Sequence, residues 1–241
     1  SPKKCLILVP MKGINKKFIL SLFLLIVIVL TTVAQQHLFT RFKKITTDDG
    51  LPQNSINVIL QDSKGFMWIA TGDGLCRYDG FSYKLFIHNA NDSTTIASNS
   101  VDCLAEDKQG NIWCGLRKDG ISIINPNSNS ITHIKRKDGD SLGLFSNNIR
   151  KIICDVDGII WAGTGMGLNR IDPITKKVTQ ITISKPGDKF YHEDNSSIWT
   201  LLEDGAYIWI GSYRGGGLHK MHKKTRKVTT YKSSAENLNS L

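Results

Sequence analysis

Four tryptophans, Trp68, Trp113, Trp161 and Trp209, stand 45, 48 and 48 residues apart, and each closes the same short pattern. An apolar run opens every copy, at Ile56, Val101, Ile149 and Ile198, and the tryptophan follows by 12, 12, 12 and 11 residues. In between lie an aspartate (Asp62, Asp107, Asp155, Asp204) and then a glycine (Gly65, Gly110, Gly158, Gly205). Four copies in phase restrict the chain to a repeat architecture. A period of roughly 40–50 residues with several short strands per period points to a β-propeller.

Each unit divides into four strands. In the first these are expected at Ile56–Gln61, Phe66–Thr71, Leu75–Tyr78 and Ser82–His88. The continuous apolar runs of the opening strands suit innermost strands covered on both faces. The closing strands, Tyr83–His88, Ile131–Arg136, Val178–Ser184 and Val228–Lys232, are more polar and β-branched, as outer edges are. No helix is expected after residue 35. The repeated residues have structural work to do. The aspartate can accept bonds from the N–H groups of the following turn, where glycine supplies a positive φ. The tryptophan is large enough to fill the wedge between blades. A polar, asparagine-containing pair (Asn54-Ser55, Asn99-Ser100, Asn147-Asn148, Asn195-Ser196) leads into each unit.

The units fall at about 51–96, 97–143, 144–193 and 194–232, and residues 233–241 begin a fifth, with Asn239-Ser240 as its lead-in pair. The expected fold is therefore all-β, with four blades of about 47 residues belonging to a larger ring. A seven-bladed ring at this period needs roughly 330 residues. Leu38–Ile45 reads as one further strand, suited to closing such a ring against its last blade. Ahead of it, residues 11–34 have the pattern of a signal peptide or signal anchor. Lys12, Lys16 and Lys17 precede an uncharged run from Phe18 to Val33, and Thr32-Val33-Ala34 offers a cleavage site. Residues 1–10 read as non-native sequence upstream of the initiator Met11.

The formal charge of +10 suggests a nucleic-acid partner until it is located. Residues 1–34 hold five lysines and no acid, which leaves 26 basic against 21 acidic residues elsewhere, with no long basic run. That is a mixed, solvated surface, and no nucleic-acid partner is expected for it. The cysteines (Cys5, Cys76, Cys103, Cys114, Cys154) make no zinc spacing, and the last four sit in or beside strands as small buried hydrophobes. Export would permit a disulfide, and spacing does not choose a pair.

No cofactor and no metal are expected. His219 and His222, three apart on a strand, point to opposite faces, and Asp155 and Asp157 lack the other ligands of a calcium loop. Function is sought instead in loop residues that differ between copies. These are Asp73, Arg117-Lys118-Asp119, Met166 and Tyr213-Arg214 after the tryptophan strands, and Lys189 to Tyr191-His192 before the fourth unit. Aromatic rings stack on sugar faces, and charged groups bind hydroxyls or uronates. Arg117, Lys118, Tyr191, His192, Tyr213 and Arg214 are thus the candidate ligand-binding residues.

The pattern Asp-x-x-Gly-x-[Ile/Met]-Trp, then a small residue and Thr or Leu, then Gly-[Leu/Ile], then Tyr78-Asp79 or Ile171-Asp172-Pro173, resembles the two-component-regulator propeller repeat. The resemblance covers about residues 38–241, and its specificity comes from recurrence in register. It implies the N-terminal, periplasmic sensor propeller of a hybrid two-component regulator. Such a region is exported and anchored at the inner membrane in its parent chain. It binds an extracellular signal, an oligosaccharide by analogy, and relays it to a histidine kinase in the same chain, with a homodimer as a possible assembly. On that reading this segment is not itself an enzyme. A secreted carbohydrate-binding or adhesion propeller, and a propeller glycoside hydrolase or lyase, stay open as alternatives.

Overall fold

Among the described residues, short apolar runs separated by turn residues become sixteen antiparallel strands. A computed structural model describes residues 20–23, 25, 42–136, 143–183, 197–213 and 217–232. The chain divides into two units, Ser1–Lys44 and Ile45–Leu241. In the first, Leu20–Phe23 and Leu25 are helical. Among the described residues no helix is long and apolar enough to cross a membrane. Most of the expected signal segment, the start of the strand at Leu38 and the fifth lead-in at 233–241 lie outside the described residues.

In the second unit β1 (Ile56–Gln61), β2 (Met67–Thr71), β3 (Leu75–Tyr78) and β4 (Tyr83–Phe86) form the first sheet, and β5 (Val101–Glu106), β6 (Ile112–Leu116), β7 (Ile121–Ile124) and β8 (Ile131–Ile134) the second. The third holds β9 (Ile149–Cys154), β10 (Ile160–Thr164), β11 (Gly167–Ile171) and β12 (Val178–Ile181). The fourth holds β13 (Ile198–Asp204), β14 (Tyr207–Ser212), β15 (Leu218–His222) and β16 (Val228–Tyr231). Every sheet is an up-and-down meander in chain order. The first strands, β1, β5, β9 and β13, pack in succession, each on the next. The core therefore lies mainly between sheets, as three apolar layers, with a smaller cluster of Leu51, Ile69 and Cys76 on the first sheet. The first layer joins Trp68, Ala70 and Leu75 to Val101, Leu104 and Cys114. The second joins Trp113 and Cys103 to Ile149, Ile152 and Ile160, and the third joins Trp161 and Leu168 to Ile198, Leu201 and Ile208.

One polar contact fixes each tryptophan in its layer. Asp62 accepts the backbone N–H of Lys64 (3.0 Å) and Phe66 (2.9 Å) on one oxygen and the indole N–H of Trp68 (2.8 Å) on the other. Asp107 does the same for Gln109, Asn111 and Trp113, and Asp155 for Asp157, Ile159 and Trp161. The glycines at Gly65, Gly110 and Gly158 take φ of 90°, 78° and 85°, the left-handed conformation that completes the turn. The spacing of six residues from aspartate to tryptophan is thus a hydrogen-bonding distance, beyond the wedge-filling role expected for the ring. In the fourth blade the spacing is five. Asp204 still receives the Trp209 indole N–H, at 3.1 Å, but in an exposed setting.

Successive blades interlock at a small residue two positions after each tryptophan. A Cβ added at Gly115 would lie 2.7 Å from Cγ2 of Ile149, and one at Gly163 would lie 2.5 Å from Cγ2 of Ile198. The opening residue of each blade is a knob in the preceding sheet. The corresponding face of the fourth sheet has no such neighbour among the described residues. There Thr200, Leu202, Trp209, Gly211 and Leu218 line an open groove of about 370 Å³. At the other end of the blades, carboxylates staple the first sheet to the second and the third to the fourth. Glu106 accepts the N–H and hydroxyl of Ser63, and Glu203 accepts the N–H of Val156 while holding Lys223 at 2.7 Å.

Several expected boundaries shift, each for a visible reason. Phe66 belongs to the turn because its N–H is spent on Asp62. The outer strands stop at Phe86, Ile134, Ile181 and Tyr231, short of His88, Arg136, Ser184 and Lys232. The N–H groups of His88 and Arg136 donate instead to the side-chain carbonyls of Asn99 and Asn147, both at 2.6 Å. The lead-in asparagines therefore end one blade as they begin the next. Residues 42–45 carry no strand, and Thr47–Asp49 forms a single 3₁₀ turn where only a loop was expected. Cys103 and Cys114 face different apolar layers, and Cys76, Cys103, Cys114 and Cys154 are free thiols. Burial pushes Cys103 up to about 12.

Replacing Asp107 by alanine strands a buried indole N–H and the half-buried N–H groups of Gln109 and Asn111. Asp107→Ala is expected to destabilise the fold by about 3 kcal/mol. Asp204→Ala, whose bond is exposed, is expected to cost under about 1 kcal/mol. Chemical denaturation of the two variants checks the order, and equal losses would contradict the assigned role.

Candidate functional site

In every blade the first strand skips one residue against its neighbour. Ile56 pairs with Thr71 and Val58 with Ala70, so Asn57 has no partner across the ladder. The same step leaves Asp102, Arg150 and Trp199 unpaired. Such bulges re-aim a side chain that regular pairing would fix. Here they place four chemically different residues at one repeated position.

The loop after each tryptophan strand is tied beside that position. Arg117 donates its N–H to the Ser100 carbonyl (3.2 Å), Gly165 to Asn148 (3.1 Å) and Tyr213 to Ser197 (3.0 Å). Loop residue and bulge residue are thereby brought together. In the second blade the Arg117 guanidinium pairs with Asp102 at 3.1 Å. This bond also raises the arginine's pKa and keeps it charged. In the fourth, Tyr213 stacks on Trp199 with ring centroids 4.7 Å apart and planes 24° from parallel. Arg150, from the third blade, lies over the same indole at 4.9 Å. Trp199 and Tyr213 remain 47% and 44% exposed, which makes this the broadest aromatic surface at the rim. In the first blade the Asn57 amide crosses to the Val101 carbonyl at 2.9 Å.

Of the loop residues expected to bind ligand, Arg117 and Tyr213 thus stand at this rim, each against a bulge residue of its own blade. Lys118 is exposed beside Arg117, and Asp119 pairs with Lys135 at 3.6 Å. Met166 is exposed, with the Arg136 guanidinium 3.7 Å from its sulfur. Asp73 is held by its N–H to the Thr71 hydroxyl. Lys189, Tyr191, His192 and Arg214 lie outside the described residues. Asp102, Arg150 and Trp199 escaped the loop-based search because they sit inside apolar strands. Aligning the four units shows the signal: Asn, Asp, Arg and Trp follow the β-branched opening residue at one register position.

The two histidines of β15 do separate tasks. His219 is buried between the hydroxyls of Thr230 and Ser212, both at 2.9 Å. His222 accepts the N–H groups of Lys224 and Thr225 and meets Tyr207 edge-on. Among the described residues no three His, Cys, Asp or Glu side chains gather to hold a metal. Burial, helped by Lys232, lowers the His219 pKa from 6.5 to about 4. Between those values the unfolded chain binds the proton and the folded one does not, so stability falls as pH drops through this window. The urea midpoint is expected to decline from pH 7 to pH 4.5, and His219→Gln should flatten part of that decline. An unaltered slope in the variant would assign the acid sensitivity elsewhere.

Four-stranded meanders stacked face to face around their first strands, with variable residues gathered at one end of those strands, are the blades of a β-propeller. Residues 50–73, 95–118 and 143–166 match the two component regulator propeller family. Histidine kinase P4 of Formosa agariphila is 45% identical over 56 residues, which is 23% of this chain and 4% of the kinase. Among solved structures, the extracellular domain of a protein described as a hybrid two component system from B. thetaiotaomicron aligns with a TM-score of 0.69 at 24% identity. That alignment covers 78% of this chain and 26% of the other. An extracellular domain described as part of a one component system from the same organism aligns with a TM-score of 0.50 at 19% identity, covering 76% and 30%. The chain spans under a third of each of these proteins.

Proposed function

We propose that this chain is the N-terminal part of an exported sensor propeller in a hybrid two-component regulator. In this reading it binds an extracellular oligosaccharide, and the parent chain passes the change to a histidine kinase. The observation that carries the reading is the family's repeat recurring in three blades, joined to 45% identity with a stretch of a histidine kinase. Two of the solved structures that share this fold are extracellular domains, which supports a periplasmic place for the blades, with the parent anchored in the inner membrane. The segment itself is a binding element rather than an enzyme.

The open groove on the fourth sheet supports further blades in the parent chain, completing a ring of seven. It repeats the hole that receives Ile149 and Ile198 in earlier sheets, with Gly211 in the place of Gly115 and Gly163. The rim supports the ligand class, because half-exposed stacked rings offer a flat apolar platform suited to sugar C–H faces. Ligand binding would shift the arrangement of subunits, in a homodimer for example, and the kinase would read that shift.

Reading the gene beyond the codon for Leu241 tests the proposal directly. Further propeller repeats, a membrane helix and a kinase domain are the expected result. A stop codon soon after a completed ring would favour a secreted carbohydrate-binding propeller instead.

A further inference from the structure

Of the four bulge residues, two are satisfied within the protein. Asp102 is neutralised by Arg117, and the Asn57 amide is bonded to Val101. Arg150 differs. Among the described residues no carboxylate lies within ion-pair distance of it, and its buried Nε–H has no acceptor. The side-chain carbonyl of Asn148, two residues earlier, is also buried without a donor. Unmet donors and acceptors of this kind call for an explanation, and a ligand or ordered water at the site is one. The guanidinium lies over the Trp199 indole, which is flanked in turn by Tyr213.

We propose that Arg150, Trp199 and Tyr213 together form a subsite for an anionic sugar residue, carrying a carboxylate or a sulfate. The rings take the C–H face of the sugar and the guanidinium takes its negative group. The inference rests on the oligosaccharide reading above and narrows it to charged glycans. Three physical points carry it. A fixed positive charge without a counter-ion attracts an anion, and guanidinium geometry suits two-oxygen groups. The indole beneath keeps the guanidinium flat and weakly hydrated, so little ordering is required on binding. The bulge removes Arg150 and Trp199 from ladder pairing, so their side chains are not dictated by blade packing.

The test is calorimetric titration of the full chain in detergent micelles with two matched pairs of probes. One pair is oligogalacturonate and its carboxyl-reduced neutral form, and the other is a sulfated dextran oligosaccharide and its unsulfated parent. At least one charged probe is expected to bind about tenfold more tightly than its neutral partner, with the preference shrinking as salt rises. Arg150→Gln should abolish that preference, bringing the charged probe's affinity down to that of its neutral partner. Trp199→Ala should weaken both members of a pair, with the thermal transition of each variant showing that the fold is kept. Equal affinity for charged and neutral probes, or a preference that survives Arg150→Gln, would overturn the anionic subsite and leave the sugar reading standing. Absence of binding by all four probes would remove both.

Discussion

The carboxylate at Asp62, Asp107 and Asp155 is the contact on which the blade depends. Each ties the first hairpin turn to a tryptophan that is at most 1% exposed, so local turn and interblade core are one unit. A buried carboxylate is stabilising here because the chain itself supplies its donors, three of them within six residues, with the Asn111 amide added at Asp107 and Lys223 at Asp155. Lengthening or shortening that loop would separate the indole from its acceptor. The fourth blade illustrates the sensitivity. One residue fewer before Trp209 leaves Asp204 exposed, and the indole bond there is the longest of the four.

Interblade packing then follows from size. The small residue two places after the tryptophan exists to admit the β-branched knob of the next blade, and neither Gly115 nor Gly163 has space for a methyl group. Core residues at such a contact cannot vary in volume without strain. The carboxylate staples at Glu106 and Glu203 add a polar link at the turn end of the same interface. In the third blade Cys154 occupies the equivalent position, and its thiol donates to the Asp155 carbonyl at 3.7 Å. The carboxylate staple is therefore dispensable at one interface, whereas the knob recurs.

Much of this fold is legible in the sequence because its determinants are periodic. Aspartate, glycine, tryptophan and the opening apolar residue recur at fixed offsets, and β1, β3 and the start of every outer strand follow from them. The ends of the outer strands do not, because Asn99 and Asn147 act 11 residues away from the N–H groups they capture. The indole bond to aspartate is likewise invisible to strand periodicity, which treats Trp68 only as bulk. Arg117 and Tyr213 could be chosen as unrepeated loop residues. Arg150 and Trp199 could not, since a search of loops passes over polar and aromatic residues embedded in apolar strands.

The bulge reconciles these two demands on one repeat. Every other position of an innermost strand is constrained by a ladder partner, by the knob contact or by the apolar layer on one of its faces. The skipped residue answers to none of them, so Asn57, Asp102, Arg150 and Trp199 can differ completely while the blades remain superposable in register. Because first strands lie side by side, these free positions form one contiguous row, and the tied loops bring a second row against it. A repeat that is rigid everywhere else can therefore vary the chemistry of its rim at a single register position per blade. The Arg150–Trp199 contact is where two such positions meet across neighbouring blades.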